Sequence, residues 1–440
     1  MDVKNQPGKI VSLGLQHMLA MYAGAVVVPL IVGSAIGLKG AMLAYLVSID
    51  LAACGLATLL QVWKNRFFGI GLPVVLGCTF TAVTPMIVIG KKYGIEGVCG
   101  SIIGAGIILF GLSFILGKIV KFVSPVVIGS VVVIIGLTLI PVAVNNVGGG
   151  VGAPNFGDPK NLLLAFGVLL LIVLMNRLFT GFLRSISILL GIIIGTIAAS
   201  FMGMVDFTSV GEAHWFQILK PFSFGAPTFH IDAIITMTIV VLVSLIESTG
   251  VYFALSKICH VPINNKLMEK GYRAESLAVV VGGLFNAFPY TTFSQNLGLV
   301  QMTKVKSRSV IVVCGVILIV VGFIPKIGVI TTIIPSAVLG GAMIAMFGMV
   351  VSAGIKMLSE IDFSKNENLL IIACSVGLGL GVTVQPQLFS KLPSYIQIVT
   401  NNGVVAGALM AIILQIIFNF NKSKLDEKDI NEEKQDAQII

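Results

Sequence analysis

The sequence predicts an all-α polytopic membrane protein of 14 transmembrane segments, arranged as two inverted repeats of seven. Three observations predict it. Of the 440 residues, 56% are apolar and 11% charged, and the mean hydropathy is +1.03; soluble domains run about 45–50% apolar and about 25% charged. Basic residues alternate in abundance from one connecting loop to the next. Finally, a set of proline, glycine and phenylalanine landmarks recurs half a chain later.

One bilayer crossing needs about 20 mostly apolar residues. Such runs recur from Ile10–Ile36 to Val404–Phe420. The first follows a short basic lead, Met1–Lys9, yet runs past signal-peptide length and carries Gln16 and His17, so it is expected to be a retained crossing. With both termini cytoplasmic, cytoplasmic segments hold 21 of the 28 basic residues, among them Arg66, Arg177, Arg184, Lys270 and Lys304. The outer loops hold seven, including Lys39, Lys92, Lys220 and Lys326. That is the bias of the positive-inside rule, and shifting the parity by one crossing scrambles it.

Two crossings are wrong for plain helices. The third, Ile70–Ile89, contains Pro73 and Pro85 on either side of the polar stretch Gly77-Cys78-Thr79-Phe80-Thr81. The tenth, Thr291–Thr303, has 13 residues, or about 20 Å of helix against a core of about 30 Å. A short extended segment followed by a half-helix fits both. Non-helical backbone at that depth must be buried in protein or line a cavity.

Phe80 and Phe293 lie 213 residues apart, Pro125 and Pro335 lie 210 apart, and Gly129–Gly341 and Gly136–Gly348 are each 212 apart. Seven crossings per half is an odd number, so the second copy must be inverted. Broken helices at matching places of inverted repeats point to a transport site near the midplane.

Composition excludes other classes. The six cysteines are scattered, with no CxxC pair and no histidine at ligand spacing, which predicts neither a disulfide nor a metal site. The net charge of +9 falls on loops as an orientation signal, with no basic stripe for nucleic acid. There is no HExxH, no paired-aspartate motif and no Ser/His/Asp grouping, so an enzyme is not expected. Asn145–Lys160 reads as an outer loop and Leu425–Ile440 as a charged tail.

Few ionisable groups fall inside the crossings. Glu247, in Ser-Leu-Ile-Glu-Ser-Thr-Gly, sits in the middle of the eighth; a carboxylate there costs about 2.5–3.5 kcal/mol on insertion scales. It is either a ligand or proton site or a structural acid bonded between helices. Gln295 and Asn296 stand on the extended part of the tenth crossing. A primary amide offers one acceptor and two donors in a plane, suited to the edge of a nucleobase, although Asn296 could equally be an interhelical amide. His17 either braces the first helix or meets a ligand. Thr79 and Phe80 could supply a backbone donor and an aromatic face. Asp50, Glu275 and Asn286 are further candidates, and Glu275 could instead belong to the cytoplasmic edge beside Arg273.

With these residues in place, the chain resembles the nucleobase-ascorbate transporters, or nucleobase-cation symporters of type 2. Their signature, Gln/Glu/Pro-Asn-x-Gly-x4-Thr-Lys/Arg/Gly, stands here as Gln295-Asn296-Leu297-Gly298-Leu299-Val300-Gln301-Met302-Thr303-Lys304. Gln16-His17, Thr79-Phe80 and Glu247 also fall where that family has functional residues, and all but the last twenty or so residues are covered. The resemblance implies a core domain of segments 1–4 and 8–11 (residues 1–122 and 228–328) and a gate domain of segments 5–7 and 12–14 (123–227 and 329–420). Residues 421–440 are left as a cytoplasmic tail.

It also implies paired short strands in segments 3 and 10, a homodimer in the cell membrane, and proton-coupled import of a nucleobase, with no cofactor beyond the proton. Glu247 would accept from base N–H groups, Gln295 would contact the ring edge, and Thr79 and Phe80 would complete the cradle. His17, Asn296, Glu275, Gly298 and Thr303 would support binding or coupling. Gln at the first signature position is similar to the xanthine and urate branch. Val251 stands where uracil-type members carry histidine, which weakens the uracil alternative. Sulfate- or bicarbonate-type anion carriers share the architecture, but would favour a cation where Glu247 stands.

Overall fold

The computed structural model describes residues 6–119, 124–392, 397, 400 and 402–419. The expected tail at 421–440 lies outside the described residues. Helix α1 (Pro7–Ala35) turns at Gly37 and Gly40 into α2 (Gly40–Val62). An irregular stretch then leads to strand β1 (Leu76–Cys78), a 3₁₀ turn at Phe80–Ala82 and the long α3 (Val83–Ile119). Within α3, Gly94 stands at φ 72° and ψ −179°, a backbone state that glycine reaches freely, and it breaks the helix in two. The first half of the chain closes with α4 (Pro125–Val147), α5 (Pro159–Leu178), α6 (Gly181–Ser185) and α7 (Ser187–Phe201).

A link containing α8 (Thr208–Glu212) leads to α9 (Ile231–Cys259) and α10 (Asn265–Leu284). Strand β2 (Tyr290–Thr292) is followed by the half-helix α11 (Ser294–Thr303), then α12 (Arg308–Gly322) and α13 (Pro325–Thr332). Helices α14 (Ser336–Leu358), α15 (Asn366–Val384) and α16 (Gly403–Asn419) complete the fold. Both irregular crossings are thus a short strand and a helix, as their length and prolines predict.

Among the described residues eight helices are long and apolar enough to cross a membrane, or nine if α12 and α13, bent by 79°, form one span. The chain is therefore a multi-pass membrane protein. That count is below the fourteen segments the sequence predicts, and several elements fail the length test for physical reasons. The strand-plus-half-helix crossings are short, α3 is one helix broken at Gly94, α7 and α16 are short apolar helices, and α10 carries Lys266, Glu269, Lys270, Arg273 and Glu275.

Packing divides the helices into two groups. In one, α3 lies on α9 and α10, and α12 on α1 and α2. In the other, α4 and α14 form the centre, flanked by α5 and α7 on one side and α15 and α16 on the other. Glycine permits the central contact. A Cβ on Gly136 would come within 2.8 Å of the Val351 nitrogen, and one on Gly354 within 2.7 Å of the Val133 nitrogen. Without hydrophobic drive between helices in lipid, such close backbone approach is the main source of attraction.

The link between the halves is bound to the first group. Gln217, Phe222 and Thr228 donate their backbone N–H to the carbonyls of Phe323, Leu284 and Glu96, each at 3.1 Å. The Lys220 N–H donates to the Tyr45 hydroxyl at 2.9 Å. These four bonds reach α2, α3 and the ends of α10 and α12, so residues 217–228 form a strap across that group.

Candidate functional site

The strands β1 and β2 pair antiparallel, with Leu76 opposite Thr292 and Cys78 opposite Tyr290. Each is three residues long, about 10 Å. Each leads directly into a helix N-terminus, at Phe80 and at Ser294. The first N–H groups of a helix lack intrahelical partners and carry the positive end of its dipole. The pair therefore sets two donor-rich helix starts inside the protein.

The surroundings fix the pair from both sides. Thr58 of α2 receives the Leu76 N–H at 3.0 Å and donates to the Leu76 carbonyl at 3.2 Å. Thr79 donates its N–H to the Pro289 carbonyl at 2.9 Å. Its hydroxyl meets Ser244 of α9 at 3.0 Å and caps the 3₁₀ turn at the Thr81 N–H. Thr79 thus ties the strands together, and the backbone donor left at this helix start is that of Phe80. On the other strand, the Thr292 N–H donates to the Ser248 hydroxyl at 3.2 Å.

Glu247 lies between these two serines on α9. Ser244 and Ser248 are buried, whereas Glu247 is half-buried, and its carboxyl interacts with the Thr291 hydroxyl of β2. Helix α9 packs on β2, on the 3₁₀ turn and on α11. Gln295, the second residue of α11, is half-buried, and its side chain makes no hydrogen bond with the described residues. The acid and the amide thus stand on neighbouring elements around one strand pair, each with polar atoms uncommitted.

Phe80 is buried with its ring 6.3 Å from Phe293 and 5.4 Å, edge to face, from Phe347 of α14. It bridges the two helix groups. The Phe293 ring also explains a glycine, since a Cβ on Gly77 would lie 2.3 Å from it.

The remaining candidates surround this centre. Asn296 is buried and donates Nδ2–H to the His17 carbonyl at 2.9 Å, with the His17 ring Nδ1 3.1 Å away. The interhelical reading of both residues describes that contact. Glu275 is fully buried. It accepts from Ser248 at 3.1 Å and lies against Tyr252 and Gln61. It is therefore one serine removed from β2. Thr303 closes α11 by donating to the Leu299 carbonyl at 2.8 Å, and Gly298 faces open space on the same helix.

Asn286, held by Cys99 and Phe224, is a brace near the 217–228 strap. Asp50 accepts the Phe288 N–H at 3.0 Å and the Cys78 thiol. Sequence reasoning missed the hydroxyls Thr58, Ser244, Ser248 and Thr291. Only the serines in Ser244-Leu-Ile-Glu-Ser248 carried a local signal.

Comparison with known proteins places the chain in a family. Residues 8–388 match the sequence model of the Permease family, Xan_ur_permease. The xanthine permease of Bacillus subtilis (strain 168) is 62% identical over 435 residues, covering 98% of this chain and 99% of that one. The uric acid permease PucK of the same organism is 58% identical over 410 residues, 93% and 95%. The uric acid transporter UacT of Escherichia coli (strain K12) is 42% identical over 417 residues, 94% and 86%.

Among solved structures, the transmembrane domain of the cyanobacterial bicarbonate transporter BicA superposes with TM-score 0.64 at 16% identity, covering 94% of this chain and 98% of that one. Murine Slc26a9, an anion transporter in the inward-facing state, gives 0.66 at 11%, covering 96% and 70%. At such identities the likeness is one of fold. The family match over most of the chain and the near full-length relatives make this protein a member of the Permease family.

Proposed function

We propose that the chain is a purine nucleobase permease that carries xanthine or urate into the cell together with protons. The observation that carries this reading is the uncommitted pair Glu247 and Gln295 beside the β1–β2 ends, in a chain 62% identical to a xanthine permease. A planar base presents N–H donors and carbonyl acceptors along its edge. Glu247 accepts from the donors, Gln295 pairs with the edge, and the Phe80 N–H completes the cradle. The half-helix dipoles favour the carbonyl oxygens. Thr79, Asn296 and His17 hold the geometry, Thr303 ends the half-helix, and Gly298 leaves room beside it. Glu275, joined to the same strand through Ser248, is the second acid of the coupling path. No cofactor beyond the coupling proton takes part.

The full layout belongs to the same proposal: fourteen segments, both termini cytoplasmic, in the cell membrane, as a homodimer. Counting α3 as two, and β1 and β2 with their helices as segments 3 and 10, gives seven segments per half. The packing supports the inverted repeat, because three pairs of contacts correspond: α1–α12 with α9–α3, α5–α14 with α15–α4, and α5–α7 with α15–α16. The core domain, taken as 1–122 and 217–328 because the strap is bonded to it, then moves against the gate (123–216, 329–420), with Phe80–Phe347 at their junction.

The deciding measurement is radiolabelled uptake in a host lacking purine and pyrimidine permeases, with unlabelled bases competing and a protonophore added. Saturable xanthine uptake that urate competes and the protonophore abolishes is expected. Competition by uracil alone would favour a uracil permease. Uptake of bicarbonate or sulfate but no base would favour an anion carrier.

A further inference from the structure

A second cluster, outside the proposed base site, lies between α2 and the end of β1. Asp50 and Cys54 are four residues apart on α2 and share one helix face. Cys78, at the end of β1, reaches the same point. One donor atom from each lies within 4.8 Å of the others, and all three residues are fully buried.

The geometry is that of a soft-metal site. The Cys54 and Cys78 sulfurs are 3.9 Å apart. Two thiolates bound at about 2.3 Å to one tetrahedral ion stand about 3.8 Å apart. Asp50 turns one oxygen to the Cys78 thiol, while the other accepts the Phe288 N–H at 3.0 Å. A ligating carboxylate is commonly held by such an outer bond. Tyr290 stands opposite Cys78 in the strand register, and its buried hydroxyl has no partner among the described residues.

We propose that Asp50, Cys54 and Cys78 form a binding site for one thiophilic divalent cation of the zinc or cadmium class. Thiolate donors select such ions over magnesium or calcium. Binding replaces the thiol protons, which leave to solvent, and supplies a counter-charge to a carboxyl otherwise buried with a thiol and one N–H. The ion ties β1 to α2 behind Thr79 and Phe80, so it stiffens the strand pair without entering the base-binding side.

The test uses the full chain, purified without chelator, and is independent of uptake. After exposure to Cd²⁺ and gel filtration, the expected result is one retained cadmium per chain and an ultraviolet thiolate-to-cadmium charge-transfer band. Both fall to background in Cys54→Ser and Cys78→Ser and persist in Cys374→Ser, whose thiol is exposed. X-ray absorption on the zinc-loaded wild-type chain reads the donors without any variant. Two sulfurs at about 2.3 Å with oxygen at about 2.0–2.2 Å are expected. A wild-type chain that retains no metal overturns the site, as does a band that survives in the Cys54→Ser/Cys78→Ser double variant, or a sulfur count other than two.

Discussion

Glu247 and Gln295 are half-buried polar residues beside the strands, with side-chain atoms not committed to the described residues. Ser244, Ser248, Thr79 and Asn296 are each committed to a backbone or side-chain partner. Removing a hydrogen bond to a charged group costs about 1.5–3 kcal/mol, so Glu247→Gln is expected to lower xanthine uptake at least about tenfold at unchanged expression. Normal uptake by that variant would remove the acid from the site. Gln295→Glu replaces two donors with an acceptor, and is expected to change the order in which xanthine, urate and uracil compete. Asn296→Ala strips His17 of its partner inside the protein. A loss of about 1–3 kcal/mol is expected, seen as a lower melting temperature in detergent together with slower uptake.

Two glycines of the broken crossings make opposite predictions at the scale of the element. A methyl group on Gly77 would lie 2.3 Å from the Phe293 ring, and nothing lies within 4 Å of one on Gly298. Overpacking costs about 1–3 kcal/mol, whereas glycine inside a helix costs roughly 0.5–1 kcal/mol relative to alanine. Gly77→Ala is therefore expected to melt lower than the wild type and Gly298→Ala at the same temperature or higher, both read by thermal unfolding in detergent.

These elements also mark what the sequence could convey. A 13-residue crossing and two prolines are local facts, and they predicted the interrupted segments. The Glu247–Thr291 approach joins residues 44 positions apart, and the meeting of Asp50 with Cys78 needs a strand to return beside α2. Neither leaves a trace in spacing. Glu275 looked equally suited to an aqueous edge because its neighbour Arg273 is charged. In the fold the two point apart, Arg273 stacking on Phe114 and Glu275 facing Ser248.

The whole molecule rests on a seam of bare backbone between α4 and α14. Gly136→Leu would force that seam open against Val351 and Phe347. It is expected to reduce the yield of monodisperse protein far more than a leucine at Gly167, which has no neighbour within 4 Å, as size-exclusion chromatography would show. The strap at 217–228 has a different consequence. Because its bonds run to α2, α3, α10 and α12, the chain changes sides before it, near Gly203 at φ 71°. In the proposed cycle this outer ribbon is a passenger of the moving body. A nanobody gripping it would ride along as dead weight, and, with both termini cytoplasmic as proposed, a dye at Lys220 would track the moving half from outside the cell.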